Sequence, residues 1–219
     1  MKKLKHVMPS LFLFVGKSKS GKSYLLKYLI SYYCLTEKHF NFGLVLTGSD
    51  YNHEYKFLPS HAVHKYEEEV LNQYIDSLKE KKNNGEELPP SFLVLDDILG
   101  LISRSKAWQN LISTYRHLNI TLFISVQYLR TEASSTLIRE QTGALFAFKT
   151  TNINTMKCFF DYFGSNIFEN LEGFKERFQK CTTEKHSCCL YLDHDKSMTK
   201  NTNFLMLKAP QFDLKPIKY

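Results

Sequence analysis

The sequence predicts an α/β fold in which helices flank a mainly parallel β-sheet. Short apolar runs alternate along the chain with stretches whose apolar residues recur at helical spacing. The first apolar run, residues 11–15, leads into a glycine-bounded loop and then an amphipathic stretch. A later apolar run, 92–95, ends in two acids. We therefore expect buried parallel strands whose carboxyl ends carry the chemistry.

Size and charge limit the class of protein without identifying it. The chain has 219 residues, of which 43% are hydrophobic, enough for one well-packed domain. We divide it into a core, residues 1–152, and a C-terminal extension, 153–219, packed on that core. No apolar run approaches the roughly 18 residues of a membrane span, so we expect a cytosolic protein. The net charge of +7 is compatible with a polyanionic partner or with a merely basic protein.

The glycine-bounded loop has the G-x-x-x-x-G-K-[ST] spacing of a phosphate-binding P-loop, the Walker A motif. Gly16 and Gly21 lack a Cβ, so backbone N–H groups can approach an anion at the start of the following helix. Lys22 would reach the β- and γ-phosphates of ATP, and the Ser23 hydroxyl would ligate Mg²⁺. The predicted nucleotide-binding residues are Gly16, Lys17, Ser18, Lys19, Ser20, Gly21, Lys22 and Ser23. The side chains of Lys17 and Lys19 could be solvated or could touch the nucleotide.

The apolar run that ends in two acids has the Walker B pattern. Asp96 would hold Mg²⁺, usually through water, and Asp97 could orient and deprotonate the water that attacks the γ-phosphate. Gln127 ends the next predicted strand, 120–127, at the same edge of the sheet. It could sense the γ-phosphate or the attacking water; the alternative is a simple turn residue. The predicted site thus combines a phosphate cradle, a metal carboxylate, a base and an amide.

The other predicted elements follow from periodicity and turn residues. Residues 48–52 read as a loop, and the region from there to about residue 64 has no assignable pattern. Ser134 and Ser135 could cap a short helix that Gly143 ends. Polar residues 194–202 would form the turn of a terminal hairpin. The predicted strands are 11–15, 42–47, 92–97, 120–127, 144–148, 188–192 and 204–207; the predicted helices are 24–34, 67–82, 105–117, 134–141, 154–163 and 168–180.

The five cysteines indicate reduced thiols, because their number is odd and their spacing irregular. A zinc site is a weaker alternative at the cluster of Cys181, His186, Cys188, Cys189 and His194. The cluster contains no C-x-x-C pair, and adjacent cysteines on a strand would point to opposite faces.

A strand lies in sequence between the P-loop and the Walker B run, an acid follows the metal aspartate, and a polar residue ends the next strand. This is the layout of the ring-forming P-loop NTPases of the ASCE, RecA-like type. P-loop kinases of small molecules lack the added acid and carry an arginine-rich lid, which this sequence does not show. A nucleotide-gated scaffold that binds ATP without hydrolysing it is a second alternative.

Two segments resemble the FtsK–HerA superfamily of DNA-pumping ATPases. Residues 116–127, Arg-His-Leu-Asn-Ile-Thr-Leu-Phe-Ile-Ser-Val-Gln, resemble its "arginine, short turn, strand, Ser/Thr-x-Gln" segment. Residues 137–148 resemble its "Ile-basic-x-Asn, then strand" segment, although Gln141 replaces the Asn. Asp97 also departs from the family, which often has Glu there. The small size and terminal hairpin look most like the virion DNA-packaging ATPases of poxviruses, giant viruses and virophages.

This resemblance implies a pentameric or hexameric ring of identical subunits that moves double-stranded DNA into a preformed capsid, with capsid or portal-vertex proteins as partners. It implies a location in the virion and in the cytoplasm of the infected cell. A neighbouring subunit would supply an arginine finger, for which Arg139 and then Arg116 are candidates. DNA contacts would be made to phosphates. Candidate residues for those contacts, each also readable as part of a solvated face, are Arg104, Lys106, Lys79, Lys81 and Lys82.

Overall fold

The computed structural model describes residues 8–48, 52–102, 105–129, 136–193 and 203–218, and in these ranges eight strands form one sheet. The order across the sheet is β3-β2-β4-β5-β1-β6-β7-β8. Strands β1 to β6 are parallel, whereas β7 runs antiparallel to β6 and β8 antiparallel to β7. The strands are β1 (Leu11–Val15), β2 (Phe42–Thr47), β3 (Val63–Lys65), β4 (Ser91–Asp96), β5 (Ile120–Val126), β6 (Thr142–Phe148), β7 (Cys188–Leu192) and β8 (Phe204–Leu207).

Seven α-helices lie among the described residues, and two of them continue into a π-helical turn. The π-helical turns are Tyr32–Thr36 and Phe160–Gly164, and short 3₁₀ turns cover Asn52–Tyr55 and Ser60–Ala62. The helices are α1 (Lys22–Ser31), α2 (Glu68–Asn83), α3 (Leu99–Ile102), α4 (Lys106–Thr114), α5 (Thr136–Gln141), α6 (Ile153–Phe159) and α7 (Leu171–Cys181).

The sheet separates two apolar layers. Alternate residues of β1 divide between them, since Leu11 and Leu13 face the larger cluster and Phe12 and Phe14 face the layer that contains α1. The α1 layer is rich in aromatic rings; Phe14 and Phe146 stack with their centroids 4.4 Å apart. Burial of β1 on both faces is the pattern of a central parallel strand, as the apolar run predicted.

The sequence correctly predicted the α/β architecture, but it missed β3. This strand pairs with Val45–Thr47 in parallel register. It has only three residues, Val-His-Lys, which is too short for a recognisable alternation. The sheet is therefore one strand wider at this edge than the sequence indicated.

Several helix boundaries differ from the predicted ones for local reasons. Gly143 does not end α5, since β6 begins at Thr142, whose Oγ1 donates to the carbonyl of Ile138 at 2.6 Å. Helix α7 begins three residues later than predicted, because the side chain of Asn170 accepts the N–H of Gly173 as an N-cap. Helix α4 ends at Thr114, and the turn that follows contains Asn119 with a φ of 54°. Ser134 and Ser135 lie outside the described residues.

The C-terminal hairpin is confirmed by the antiparallel pairing of β7 with β8, while its predicted turn, residues 194–202, lies outside the described residues. Beyond β8 the chain returns across α1, and we call residues 208–217 the C-terminal strap. Phe212 contacts the rings of Tyr24 and Tyr28, and the N–H of Ile217 donates to the carbonyl of Phe57 at 2.7 Å. None of the helices described is long and apolar enough to cross a membrane.

The close contact between β2 and β4 provides a test of the packing. A Cβ at Gly43 would lie 2.3 Å from Cε1 of the buried Phe92 ring. We predict that Gly43→Ala lowers the free energy of unfolding by about 2 kcal/mol, the usual cost of overpacking a core. The measurement is urea denaturation followed by circular dichroism.

Gly100→Ala is the matched control, because a Cβ there meets no atom within 4 Å and the residue lies in α3. This change should be neutral or stabilise the protein by up to about 1 kcal/mol. Equal effects of the two substitutions would contradict the described contact between β2 and β4.

Candidate nucleotide-binding site

The parallel strands bring the predicted site residues to one edge of the sheet. The P-loop follows β1, Asp96 ends β4 with Asp97 directly after it, and Gln127 follows β5. Strand β2 ends beside them, since Thr47 is in register with Asp96. Asp97 lines both an opening of about 320 Å³ beside Gln127 and a neighbouring one of about 360 Å³ along the P-loop. The two openings share Glu54 and Asp97 as lining residues.

The P-loop has the close backbone approach that its glycines allow. Gly21 has a φ of 108°, in the left-handed region that favours glycine. A Cβ at Gly16 would lie 2.7 Å from Cβ of Phe148 and 2.8 Å from Oγ of Ser20. No side chain caps the N-terminus of α1, which begins at Lys22. Its first backbone N–H groups therefore point into the loop, where an anion can accept from them.

Lys22 is buried inside this loop. Its Nζ donates to the carbonyl oxygen of Gly16 and, at 3.4 Å, to that of Lys17. Burial lowers the pKa of Lys22, and the negative charges of Asp97 and Asp96 act in the opposite direction. The ammonium group is thus held by loop carbonyls within the field of both acids, where it could exchange those carbonyls for phosphate oxygens.

The two acids have different surroundings. Oδ2 of Asp96 accepts a hydrogen bond from the Tyr55 hydroxyl at 2.8 Å. Asp97 has a φ of 54°, and its N–H donates to the carbonyl of Ser125 at 3.0 Å. Desolvation raises the pKa of the Asp97 carboxyl; Lys22 lowers it, Asp96 raises it and a hydrogen bond from Gln127 lowers it. The structure therefore joins Asp97 to Gln127 and Lys22, while their catalytic roles stay predictions.

The residues present fit a nucleotide and Mg²⁺. Oγ of Ser20, in the P-loop, and Oγ of Ser125, beside Asp96 in the sheet, are buried and have no hydrogen-bond partner among the described residues. Buried hydroxyls usually have partners, which a phosphate oxygen or a metal-bound water would supply. The predicted metal ligands are the oxygens of Ser23 and Asp96, the donor type that Mg²⁺ prefers alongside phosphates and waters.

The alternative zinc site gains no support in the described residues, where no three His, Cys, Asp or Glu side chains are grouped to hold a metal. Cys188 and Cys189 face opposite sides of the sheet, as predicted. His194, the last member of the predicted cluster, lies outside the described residues.

Sequence reasoning missed Tyr55. This residue is 1% exposed, and burial together with the charge of Asp96 raises its pKa well above the usual value. It therefore stays protonated and remains a hydrogen-bond donor to Asp96. The one available signal was position, since the segment follows β2 at the edge where ligands of open α/β sheets bind.

His186 reaches the site from the C-terminal extension. Its Nδ1 lies 3.3 Å from the carbonyl oxygen of Ser20, and its Cβ lies 3.0 Å from where a Cβ on Gly21 would stand. The sequence placed His186 only in the weak zinc cluster. Its position beside the P-loop depends on the antiparallel return of β7, which local patterns do not reveal.

Both arginine candidates lie near the amino ends of the strands, whereas the P-loop lies at their carboxyl ends. Arg116 precedes β5, and its Nε donates to the Tyr115 hydroxyl at 2.8 Å. Arg139 precedes β6, and its guanidinium lies over the Tyr162 ring, 3.9 Å from the centroid. Neither arginine adjoins the P-loop of its own chain.

The candidate DNA-contacting residues differ in their surroundings. Nζ of Lys79 donates to Oδ1 of Asn110, and Nζ of Lys82 donates to the carbonyl of His117. Lys81 and Lys106 are exposed. Arg104 lies outside the described residues.

Comparisons with known proteins agree with this geometry. Residues 2–172 match the family described as "Poxvirus A32 protein". The chain is 28% identical over 213 residues to "Uncharacterized protein 075L" of Invertebrate iridescent virus 6, a match that covers 94% of this chain and 79% of that protein.

Solved structures share the fold. The genome packaging NTPase B204 of Sulfolobus turreted icosahedral virus 2, in complex with ATP-gammaS, has a TM-score of 0.63 and 16% identity over 91% of this chain and 96% of that one. The pCW3 conjugation coupling protein TcpA, with ATPgS, has a TM-score of 0.62 and 14% identity over 94% of this chain and 61% of that one. The predicted P-loop NTPase fold and the predicted family resemblance are therefore confirmed.

The Tyr55–Asp96 hydrogen bond provides a first test of the site. Tyr55→Phe removes the donor to Asp96 and should weaken Mg²⁺-dependent binding of a fluorescent ATP analogue by about tenfold, the usual effect of losing a hydrogen bond to a charged group. Binding measured in EDTA should not change. Tyr74→Phe is the control: this hydroxyl is also buried, but it bonds Ser91 at the other end of β4. An equal loss in EDTA would contradict the role of Tyr55.

The raised pKa of Asp97 predicts a pH-dependent stability. Above that pKa the carboxylate is charged and partly desolvated, so ionisation of Asp97 opposes folding. Asp97→Asn should raise the melting temperature at pH 8, and the gain should shrink towards pH 4 as Asp97 becomes protonated. Asn also tolerates the positive φ of this position, which adds a contribution to the melting temperature that does not vary with pH. A gain that does not vary with pH, in differential scanning fluorimetry, would contradict the shifted pKa.

Proposed function

Because this chain belongs to the poxvirus A32 protein family, we propose that it is an ATP-hydrolysing DNA translocase that packages a viral double-stranded DNA genome into a preformed capsid. The observation that carries the proposal is the convergence of Lys22, Asp97 and Gln127 at the carboxyl edge of the sheet, with Asp96 beside them. A triphosphate in the P-loop would present its γ-phosphate to these three side chains.

Hydrolysis would use the chain's own groups as follows. Backbone N–H groups of residues 16–23 bind the phosphates, and Lys22 moves from the loop carbonyls to the β- and γ-phosphates. Ser23 and Asp96 would hold Mg²⁺, which when bound neutralises charge on the phosphate oxygens. Asp97 accepts a proton from the attacking water, and the Gln127 amide orients that water. The raised pKa of Asp97 makes it a better proton acceptor than an ordinary aspartate.

The position of the arginines favours action between subunits. Strand β5 has seven residues, so the two edges of the sheet are about 20 Å apart, at about 3.3 Å per residue. Arg139 and Arg116 therefore cannot reach the phosphates held by their own chain. A head-to-tail contact would bring the amino edge of one subunit to the carboxyl edge of the next, and repetition of that contact closes a ring. We propose a pentameric or hexameric ring in which Arg139, or failing that Arg116, completes the neighbour's site.

DNA would bind through its phosphates, because a motor that moves along any sequence cannot depend on base contacts. The net charge of +7 supports such a partner. Among the candidates, Lys81 and Lys106 are exposed, whereas Lys79 and Lys82 already bond to neighbouring residues. Capsid or portal-vertex proteins would be the remaining partners, in the virion and in the cytoplasm of the infected cell.

ATP turnover in the presence of double-stranded DNA tests the proposal. We expect DNA to stimulate turnover, and Asp97→Asn to reduce the stimulated rate by about 100-fold or more while ATP still binds. Stimulation by a nucleoside but not by DNA would instead indicate a P-loop kinase. Negligible turnover in the wild type that Asp97→Asn leaves unchanged would indicate a non-hydrolysing scaffold.

Mixed rings test the arginine finger. Arg139→Ala should bind ATP normally yet lose about 10³-fold or more in turnover, within the range of known arginine fingers. Lys22→Ala should bind ATP poorly but keep its arginine. Rings mixed from the two variants should recover turnover, because an intact P-loop can then face an intact Arg139.

Rings assembled from Arg139→Ala alone, mixed and reassembled in the same way, are the control. Native mass spectrometry establishes that mixed rings form. Mixed rings without recovered turnover would exclude Arg139 as the finger, and the same pairing with Arg116→Ala would then test the second candidate.

A further inference from the structure

The nucleotide site has a second end, which the catalytic residues do not occupy. Asp97 and Gln127 mark the γ-phosphate end, so the α-phosphate and the nucleoside must extend the other way, past Gly21 towards the start of α1. The opening along the P-loop continues there to Tyr24, Lys27 and His186. The following inference rests on the proposed function and concerns this nucleoside end.

One wall of the nucleoside end belongs to the C-terminal extension. His186 lies in the turn between α7 and β7, with a φ of 65°. The turn is fixed by Ser187, whose N–H and Oγ both donate to the carbonyl of Glu184, at 3.1 and 2.8 Å. Glu184 in turn pairs with Lys208 at the start of the strap. The imidazole is thus held against the P-loop by the fold.

Tyr24, in the first turn of α1, also lines this opening. Its hydroxyl donates to the carbonyl of Pro210 at 3.0 Å, and its ring contacts Phe212, so the strap fixes its orientation. The Tyr24 side of the opening stays accessible, with 41% of the residue exposed. An exposed aromatic ring beside a phosphate cradle can pack against the sugar or the base of a nucleotide.

The hydrogen bond of His186 determines which ring nitrogen is available. A backbone carbonyl can only accept, so Nδ1 must carry the proton that it shares with Ser20. In the neutral imidazole Nε2 is then an acceptor. Nε2 lies on the far side of the ring from Ser20, and a sugar hydroxyl is a donor of the right type for it.

We propose that the nucleoside part of the bound nucleotide lies between His186 and Tyr24, with Nε2 of His186 accepting a hydrogen bond from the sugar. The C-terminal extension then distinguishes a nucleoside triphosphate from bare polyphosphate, whereas the P-loop binds the phosphates of both. The chemical class of ligand is a nucleoside 5′-triphosphate or 5′-diphosphate.

Three ligands and one substitution of similar size separate a nucleoside contact of His186 from simple support of the P-loop. His186→Asn tolerates the positive φ, and its Nδ2 can replace Nδ1 as donor to Ser20, but it has no counterpart of Nε2. Isothermal titration of the full chain with ATP, ADP and inorganic tripolyphosphate gives the affinities. We expect His186→Asn to bind ATP and ADP about tenfold more weakly and tripolyphosphate within about twofold of the wild type.

His117→Asn is the matched control, since His117 is an exposed histidine before β5, at the opposite edge of the sheet. It should leave all three affinities unchanged. Unchanged ATP affinity in His186→Asn, or an equal loss for ATP and tripolyphosphate, would overturn the proposed contact and leave the proposed function standing. A wild-type chain that binds neither ATP nor tripolyphosphate would overturn both.

Discussion

The parallel direction of six neighbouring strands is the constraint on which the rest of the structure depends. Because β1, β4 and β5 run the same way, the residues that follow them must meet at one edge of the sheet. Apolar side chains on both faces of these strands fix their register. That register in turn places the buried ammonium of Lys22 within the field of Asp96 and Asp97. The same constraint places the residues before each strand at the other edge.

The carboxyl and amino ends of the parallel strands consequently carry different groups that the proposed hydrolysis needs. The carboxyl edge has the phosphate cradle and the acids, and the amino edge has Arg116 and Arg139. The length of the strands keeps the halves apart within one chain. A subunit in isolation is therefore an incomplete enzyme in our account, and assembly into a ring would complete each site. In our proposal, the dependence of hydrolysis on a neighbouring subunit would follow from this separation.

The sequence was sufficient for features that local patterns encode. Glycine spacing between an apolar run and an amphipathic run predicted the P-loop in its structural context, and an apolar run ending in acids predicted the end of β4. Long-range contacts were not predictable in this way. Tyr55 lies in a 3₁₀ turn without periodicity, and His186 approaches the P-loop only through the antiparallel return of β7. The contacts of both residues with the site form only in the folded sheet, so no local motif predicts them.

The dependence of turnover on assembly tests the central claim most directly. ATP turnover per chain would be measured with double-stranded DNA over a range of protein concentrations, and mass photometry would give the oligomeric state under the same conditions. We predict that turnover per chain rises together with the fraction of chains in rings. Full turnover by monomeric chains would contradict this prediction, because β5 alone separates the amino ends of the strands, where the candidate arginines lie, from the carboxyl ends by about 20 Å.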